Sequence, residues 1–139
     1  MDRELALRIV WLDPLPGVHH AVQSGKKDLV PATHSTSREL VFDLSVRVRD
    51  DRPDGQPNFL GPFAQGPRDA RFVYVNSGTY AAQTDTCWSR RAKIPLTGIT
   101  WQLIDEAAGG VLVARIPGIG GDGGPTCATV RNFTGWSPV

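Results

Sequence analysis

The amino-acid sequence predicts a mainly β fold, a small antiparallel barrel or sandwich of roughly six to eight strands with one short helix near residues 100–108. Two observations lead to this class. One long segment alternates between apolar and polar residues, and several shorter segments rich in β-branched and aromatic residues are separated by turn-forming Gly and Pro. The chain of 139 residues is long enough for one ordinary domain, which we expect to span residues 1–139.

The clearest strand is the segment RELVFDLSVRVRD, residues 38–50. Its apolar residues occupy every second position, and polar residues lie between them with Val41 as the one exception. Because side chains alternate between the two faces of a strand, this segment has one buried and one hydrated face. The residues expected in the core are Leu40, Phe42, Leu44, Val46 and Val48.

Shorter strands are predicted on both sides of this segment. The first is apolar on both faces except at Arg8, which is typical of a central strand. Another ends at Pro95, which also fits an edge position. In chain order the predicted segments are Leu5–Leu12, Gly17–Gln23, Arg71–Val75, Trp88–Leu96, Val111–Ile116 and Thr126–Arg131.

One helix is predicted from about Thr100 to Ala108. Thr100 is a preferred N-cap residue, and Gly109 is suited to end the helix. Two irregular segments remain. Residues 50–69 have no periodicity and are rich in Gly and Pro, and a loop of this length in a compact domain usually has a function. Residues 117–125, PGIGGDGGP, are predicted to form a second irregular connection.

Charge and composition argue against several classes of protein. Charged residues make up 21% of the chain and nearly cancel, with a net charge of +1, which disfavours a nucleic-acid-binding protein. No apolar run reaches the length of a membrane helix, and Asp2 and Glu4 do not fit a secretory signal. We therefore expect a cytoplasmic protein with no nucleic-acid or membrane partner, and a homodimer remains open.

Arg90 is the first candidate for a functional residue. In a strand from Trp88 to Leu96, Arg90 and Trp88 share the predicted apolar face, whereas Arg91 and Lys93 belong to a solvated face. A buried guanidinium needs a charged or hydrogen-bonding partner. Either Arg90 holds a carboxylate, enolate or phosphate of a ligand, or it is paired with one of the chain's own acids.

His20, Tyr74 and Tyr80 are the candidates for proton transfer or ligand contact. The alternation of residues 18–22 places His20 with the inward apolar set, where it is either a general acid or base or a hydrogen-bonded core residue. Each tyrosine is either a donor at a cavity mouth or a core residue bonded to backbone. Adjacent histidines point to opposite faces of a strand, and no phosphate-binding or other cofactor motif is present. We therefore expect neither a metal nor a cofactor.

Three segments resemble a small family of unknown function found in bacteria and some fungi. The segments are FLGPFAQGPRDARFVYVNSGT, WSRRAKIPL and GGPTCATVR, within residues 38–131. They reproduce a Gly-Pro-aromatic loop that enters an Arg-Phe-x-Tyr strand, an Arg-Arg-Ala-Lys segment and a Gly-Gly-Pro-x-Cys tail. The resemblance implies a shared single-domain fold, and it leaves the activity to be argued from the site.

Two functions are consistent with these residues. The first is a β-barrel that binds a small organic acid or ketone, as a cofactor-independent isomerase or cyclase with His20, Tyr74 and Arg90 as catalytic residues. A lid from Phe59 to Phe63 would then close over the ligand, and Phe59, Phe63, Trp88 and Tyr80 would contact it. The alternative is a non-enzymatic binding or protein-interaction module, in which the aromatic residues of the loop plug one end of the core.

Overall fold

The computed structural model of the protein describes residues 2–14, 17, 19–26, 28–78, 90–117, 127–129, 133 and 135–139. These residues form two β-sheets and a short helix, as a sandwich. The described strands belong to two separate sheets rather than to one closed barrel, so the sandwich is the correct alternative of the two predicted. The prediction of a mainly β fold with one short helix is confirmed.

The first sheet is built around the N-terminal strand. Its strand order is β11–β9–β1–β5–β4, and β6 pairs with the other end of β5. Strand β1 pairs antiparallel with β5 on one side and parallel with β9 on the other, which confirms that it is central. The strands are β1 Asp2–Leu12, β4 His34–Ser35, β5 Glu39–Arg49, β6 Asn58–Leu60, β9 Val111–Pro117 and β11 Ser137–Pro138.

The second sheet has the strand order β10–β8–β7–β2–β3. Its neighbours are antiparallel except for β10 and β8, which run parallel. The strands are β2 His19–Ser24, β3 Asp28–Pro31, β7 Phe72–Gly78, β8 Arg90–Pro95 and β10 Cys127–Thr129. In the cross-strand register, Ser77 lies opposite His20 on one side and opposite Arg90 on the other.

The core lies between the two sheets and follows the alternation of the strands. All five residues predicted to be inward on β5 are buried, and Phe42 is 1% exposed. The second sheet contributes the alternate residues of its strands, including Val22, Val75 and Ile94, which have no exposed surface. Removing a buried aromatic side chain such as that of Phe42 typically costs about 3–5 kcal/mol, so this alternation is the main determinant of the fold.

The helix α1 spans Trp101–Ala107, close to the predicted bounds. The hydroxyl of Thr100 accepts a hydrogen bond from the backbone N–H of Leu103 at 3.2 Å, as expected of an N-cap residue. Ala108 ends the helix in the left-handed conformation, with φ 50°, and Gly109 follows with φ 81°. Within the described residues, no helix is long and apolar enough to cross a membrane.

Four short strands were not predicted from the sequence. They are β3, β4, β6 and β11, and each is two to four residues long. The strand β6 lies within the segment 50–69, where the sequence predicts no regular structure. Three residues are too few to establish an alternation, and Asn58 and Phe59 are both buried although they are adjacent.

Candidate functional site

His20 lies in the interior of the sandwich, as the alternation predicts. Its ring is packed against Trp11 of the opposite sheet, with 5.3 Å between the ring centroids. The residue is 9% exposed, and its cross-strand partner Ser77 is 4% exposed. Because Arg90 pairs with Ser77 on the other side, the backbone positions of His20, Ser77 and Arg90 form one row across the sheet.

Tyr74 lies on the opposite face of the same sheet. Its cross-strand partner is Lys93, and it shares its face with Phe72 and Asn76, whereas Val73 and Val75 point into the core. The expectation that Tyr74 points toward the interior that contains His20 is therefore wrong. The side chains of Tyr74 and His20 lie on opposite faces of the sheet. On β7 it is Ser77, with Val73 and Val75, that points to the same face as His20.

Phe59 lies far from His20, at the other end of the sandwich. Phe59 is 4% exposed and pairs with Val48, which in turn pairs with Arg3 near the start of β1. His20 packs on Trp11, near the end of the same strand. At about 3.3 Å per residue, these two positions on β1 are about 26 Å apart. A loop centred on Phe59 is thus not positioned to close over His20.

The remaining predicted residues cannot be placed in a site. Trp88 and Tyr80 lie outside the residues that the structure describes, and Arg90 is described only by its backbone in β8. Phe63 is partly buried and packs against the core cluster. Neither His19, which is exposed, nor His34, on the other sheet, is on the same face as His20.

A cavity of about 150 Å³ lies beneath the loop that carries Phe59. We call it the arginine pocket, because three of its lining residues are Arg52, Arg68 and Arg71. Its floor is apolar and buried, and its rim is polar and exposed. The other lining residues are Pro57, Phe59 and Ile99 on the floor and Gln56, Asp69 and Thr97 on the rim.

Arg52 is committed to the structure of the loop. Its Nε and Nη2 atoms donate to the two carboxylate oxygens of Asp54 at 3.0 and 2.6 Å, and Nη1 donates to the backbone carbonyl of Arg68 at 2.7 Å. The hydrogen bond from Arg52, with a second from the backbone N–H of Gln56, lowers the pKa of Asp54 to about 2. Such a bidentate pair fixes the geometry of the loop.

Arg68 is partly committed. Its Nη2 atom donates to the carboxylate of Asp51 at 2.7 Å, and Asp51 also accepts a hydrogen bond from the side chain of Asn58 at 3.0 Å. The loop is attached to the second sheet as well, because the side chain of Gln65 donates to the backbone carbonyl of Gln23 at 3.0 Å. These contacts hold the walls of the arginine pocket in place without a ligand.

With respect to the described residues, Arg71 is the cation of the pocket that has no polar partner. Its side chain makes no hydrogen bond or ion pair with the part of the chain that the structure describes, and its Nε atom is buried. Its backbone carbonyl accepts a hydrogen bond from the N–H of Leu96 at 3.1 Å. A buried donor without an acceptor costs about 1–3 kcal/mol, and more when the group is charged. This side chain is therefore suited to receive an anion.

A wider depression adjoins the arginine pocket. It measures about 370 Å³ and is lined by Arg52, Pro53, Asp54, Arg68 and Asp69. Because Arg52, Arg68 and Asp69 line both spaces, the two form a continuous entrance region on the surface of the loop.

A second polar cluster lies on the outward face of the second sheet, and we call it the outer polar face. Arg91 lies with its guanidinium carbon 4.4 Å from the ring centroid of Tyr74, and its Nη1 atom is 3.5 Å from the side-chain oxygen of Gln23. The same oxygen accepts a hydrogen bond from Asn76 at 3.3 Å. Asn76 has no exposed surface. The sequence-based assignment of Arg91 to a solvated face is wrong, because Arg91 is half-buried.

Sequence reasoning missed Arg52 because it lies in the segment treated as an irregular loop, and missed Arg71 because it was interpreted as the first residue of the next strand. The one available signal was the number of charged residues in this region, with three Arg and four Asp from residue 50 to residue 71. A loop that is rich in both signs of charge is able to build its own ion-pair framework. That signal would have indicated a structured loop, although not which arginine lacks a partner.

The chain belongs to a family of unknown function, DUF5990, whose sequence profile matches residues 5–139. The resemblance to a family of unknown function is thereby confirmed, and the match is longer than the segment 38–131 in which its motifs were found. No curated protein and no solved structure matches the chain.

Proposed function

We propose that the protein binds a small organic anion in the arginine pocket. The observation that carries this proposal is the uncommitted side chain of Arg71, whose buried Nε atom has no acceptor in the described part of the chain. Arg71 is partly exposed and lines the pocket, so the accessible part of its guanidinium can receive a carboxylate or phosphate. Arg52 and Arg68 add positive charge beside it, although Asp54 and Asp51 partly neutralise them.

The dimensions of the pocket limit the ligand. A cavity of about 150 Å³ holds a molecule of roughly the size of benzene. The buried floor of Pro57, Phe59 and Ile99 favours an apolar group at the far end of the ligand. The ligand class is therefore a small acid with a short aliphatic or aromatic body, and its charged end lies at Arg71.

The proposal is limited to binding. Isomerase or cyclase chemistry requires an acid or base next to the bound ligand, and His20 lies at the opposite end of the sandwich from the floor residue Phe59. Tyr74 lies on a third surface, the outer polar face. The alternative of a protein-interaction module has no comparable support, because Phe59 is buried in the core and does not present an exposed apolar surface.

A thermal-shift titration tests the proposal. A panel of short carboxylates and phosphate should raise the melting temperature of the wild-type protein, since a ligand that binds only the folded state stabilises it by mass action. The Arg71→Ala variant should keep the melting temperature of the unliganded protein within a few degrees and lose the ligand-induced rise. Arg115→Ala is the matched control, because Arg115 is exposed on β9, away from the pocket.

Any of three results would overturn the proposal. One is the absence of stabilisation by any member of the panel at millimolar concentration. Another is an unchanged ligand-induced rise in Arg71→Ala, which would place the anion elsewhere. A large loss of stability in unliganded Arg71→Ala would also contradict it, because Arg71 would then have a structural partner.

A further inference from the structure

The rim of the arginine pocket contains a carboxylate in addition to its arginines. Asp69 lines both the pocket and the adjoining depression, and it is exposed. Two other acids lie close by, and each accepts a hydrogen bond from an arginine. Asp54 accepts from Arg52, and Asp51 accepts from Arg68. Asp69 makes no hydrogen bond and no ion pair within 4.0 Å with the described residues. Its electrostatic neighbour among the described residues is Arg52, whose pKa it helps to raise. An acid without a hydrogen bond to the described residues thus lies two residues before Arg71.

We infer that the ligand of the arginine pocket is a small zwitterion, with its carboxylate on Arg71 and a protonated amine on Asp69. This inference rests on the proposed function and adds the second charge of the ligand. A carboxylate at the mouth of an anion site repels a simple anion, so its presence favours a ligand that also carries a positive charge. The apolar floor then receives the rest of the molecule, as in an amino acid with an aliphatic side chain.

The chemistry of the three surfaces fits one molecule. An α-amino acid carries its ammonium and carboxylate groups on the same carbon, and its side chain leaves from that carbon in a third direction. The pocket offers a cation, an anion and an apolar surface of Pro57, Phe59 and Ile99 in a space of about 150 Å³. Because the space is small, we expect aliphatic side chains to fit better than a long charged one.

Isothermal titration calorimetry with three related probes separates the charges. L-leucine carries both groups, 4-methylpentanoate lacks the amine, and 3-methylbutylamine lacks the carboxylate. The wild-type protein should bind L-leucine about tenfold more tightly than 4-methylpentanoate, since a charge-assisted hydrogen bond is worth about one decade or more of affinity. It should not bind the amine measurably.

The variant Asp69→Asn should remove this preference. Its affinities for L-leucine and 4-methylpentanoate should differ by less than about threefold, because a neutral amide has no negative charge to attract the ammonium group of L-leucine. Asp50→Asn is the matched control, since Asp50 is an exposed acid that precedes the same loop and lines neither cavity. It should keep the wild-type preference.

The outcomes distinguish this inference from the proposed function. If 4-methylpentanoate binds as tightly as L-leucine, or if Asp69→Asn keeps the tenfold preference, the zwitterion is wrong and an anion site remains. If neither compound binds the wild-type protein, the inference of an aliphatic amino acid is wrong. Failure of the whole carboxylate and phosphate panel in the thermal-shift titration would overturn the anion site itself.

Discussion

The guanidinium carbon of Arg91 lies 4.4 Å from the ring centroid of Tyr74, on the face of the second sheet that points away from the core. This distance is within the range of a cation–π interaction. The neighbouring pair, Lys93 and Phe72, has a longer separation of 5.7 Å. The two cations of β8 thus lie over two aromatic rings of β7, and this arrangement holds the strands together on their outward side as the apolar residues do on the inward side.

Replacement of Arg91 should therefore destabilise the protein more than replacement of Lys93. We expect Arg91→Ala to lower the free energy of unfolding by about 1–2 kcal/mol, because it removes the ring contact and the interaction with Gln23. Lys93→Ala should cost less than about 0.5 kcal/mol. Urea titrations of the two variants measure both values. Equal losses of stability in the two variants would contradict the prediction that Arg91 contributes more than Lys93.

The stability of the protein in acid should depend on Asp54. Hydrogen bonds from Arg52 and Gln56 lower its pKa in the folded protein to about 2, from an ordinary value of 3.8. A lowered pKa stabilises the folded state above the ordinary value and ceases to do so as the pH falls through the folded value. Stability should thus decline between about pH 4 and pH 2, and Asp54→Asn should make that decline shallower.

Unfolding free energies measured by urea titration from pH 2 to pH 7 test this prediction. Asp54→Asn should be less stable than the wild type at neutral pH and should approach it near pH 2. Asp50→Asn serves as the control, because Asp50 is exposed and makes no hydrogen bond or ion pair with the described residues. Parallel curves for Asp54→Asn and the wild type would exclude a contribution from the Asp54 pair.

Ala108→Gly should stabilise the protein. Ala108 ends the helix with φ 50°, a conformation that costs a residue with a Cβ atom about 1–2 kcal/mol and that Gly adopts freely. Gly has more conformational entropy than Ala in the unfolded chain, which offsets part of this relief. We therefore expect the free energy of unfolding to rise by about 0.5–1 kcal/mol. Ala107→Gly, one residue earlier and inside the helix, should instead cost about 1 kcal/mol. Differential scanning calorimetry should show shifts of opposite sign.

Gly66→Ala should disturb the loop that forms the arginine pocket. Gly66 has φ 100°, and a Cβ atom at this position would lie 2.7 Å from the backbone oxygen of Ala70. Because a backbone atom cannot move aside as a side chain does, we expect a loss of at least about 2 kcal/mol. Gly55→Ala is the control: its φ is 77°, but no atom lies within 4 Å of the added Cβ. In thermal melts, the melting temperature of Gly66→Ala should be well below that of Gly55→Ala.

Much of the fold follows from local patterns in the sequence. The alternation of residues 38–50 predicts β5 and its five core residues, and Thr100 and Gly109 predict both ends of the helix. In these segments, the local preference of the sequence for a strand or a helix agrees with the tertiary packing. The inward position of His20 follows from the same rule.

The candidate site was not predictable in the same way. Arg71 was interpreted as the first residue of a strand, and Arg91 as a member of a solvated face. Whether an arginine has a carboxylate partner depends on residues that are distant in the chain, such as Asp51 for Arg68, and no periodicity records such a pairing. The length of β6 is a further reason, since three residues do not establish a pattern.

The parallel pairing of β1 with β9 also constrains how the protein is made. Ala6 pairs with Val111, and Leu12 pairs with Pro117, so β1 gains one of its two neighbours only after residues 111–117 have been synthesised. Its other neighbour, β5, is available much earlier. During translation, one edge of β1 is thus open to unrelated chains, and we expect nascent-chain aggregation or chaperone binding to cease once residues 111–117 emerge.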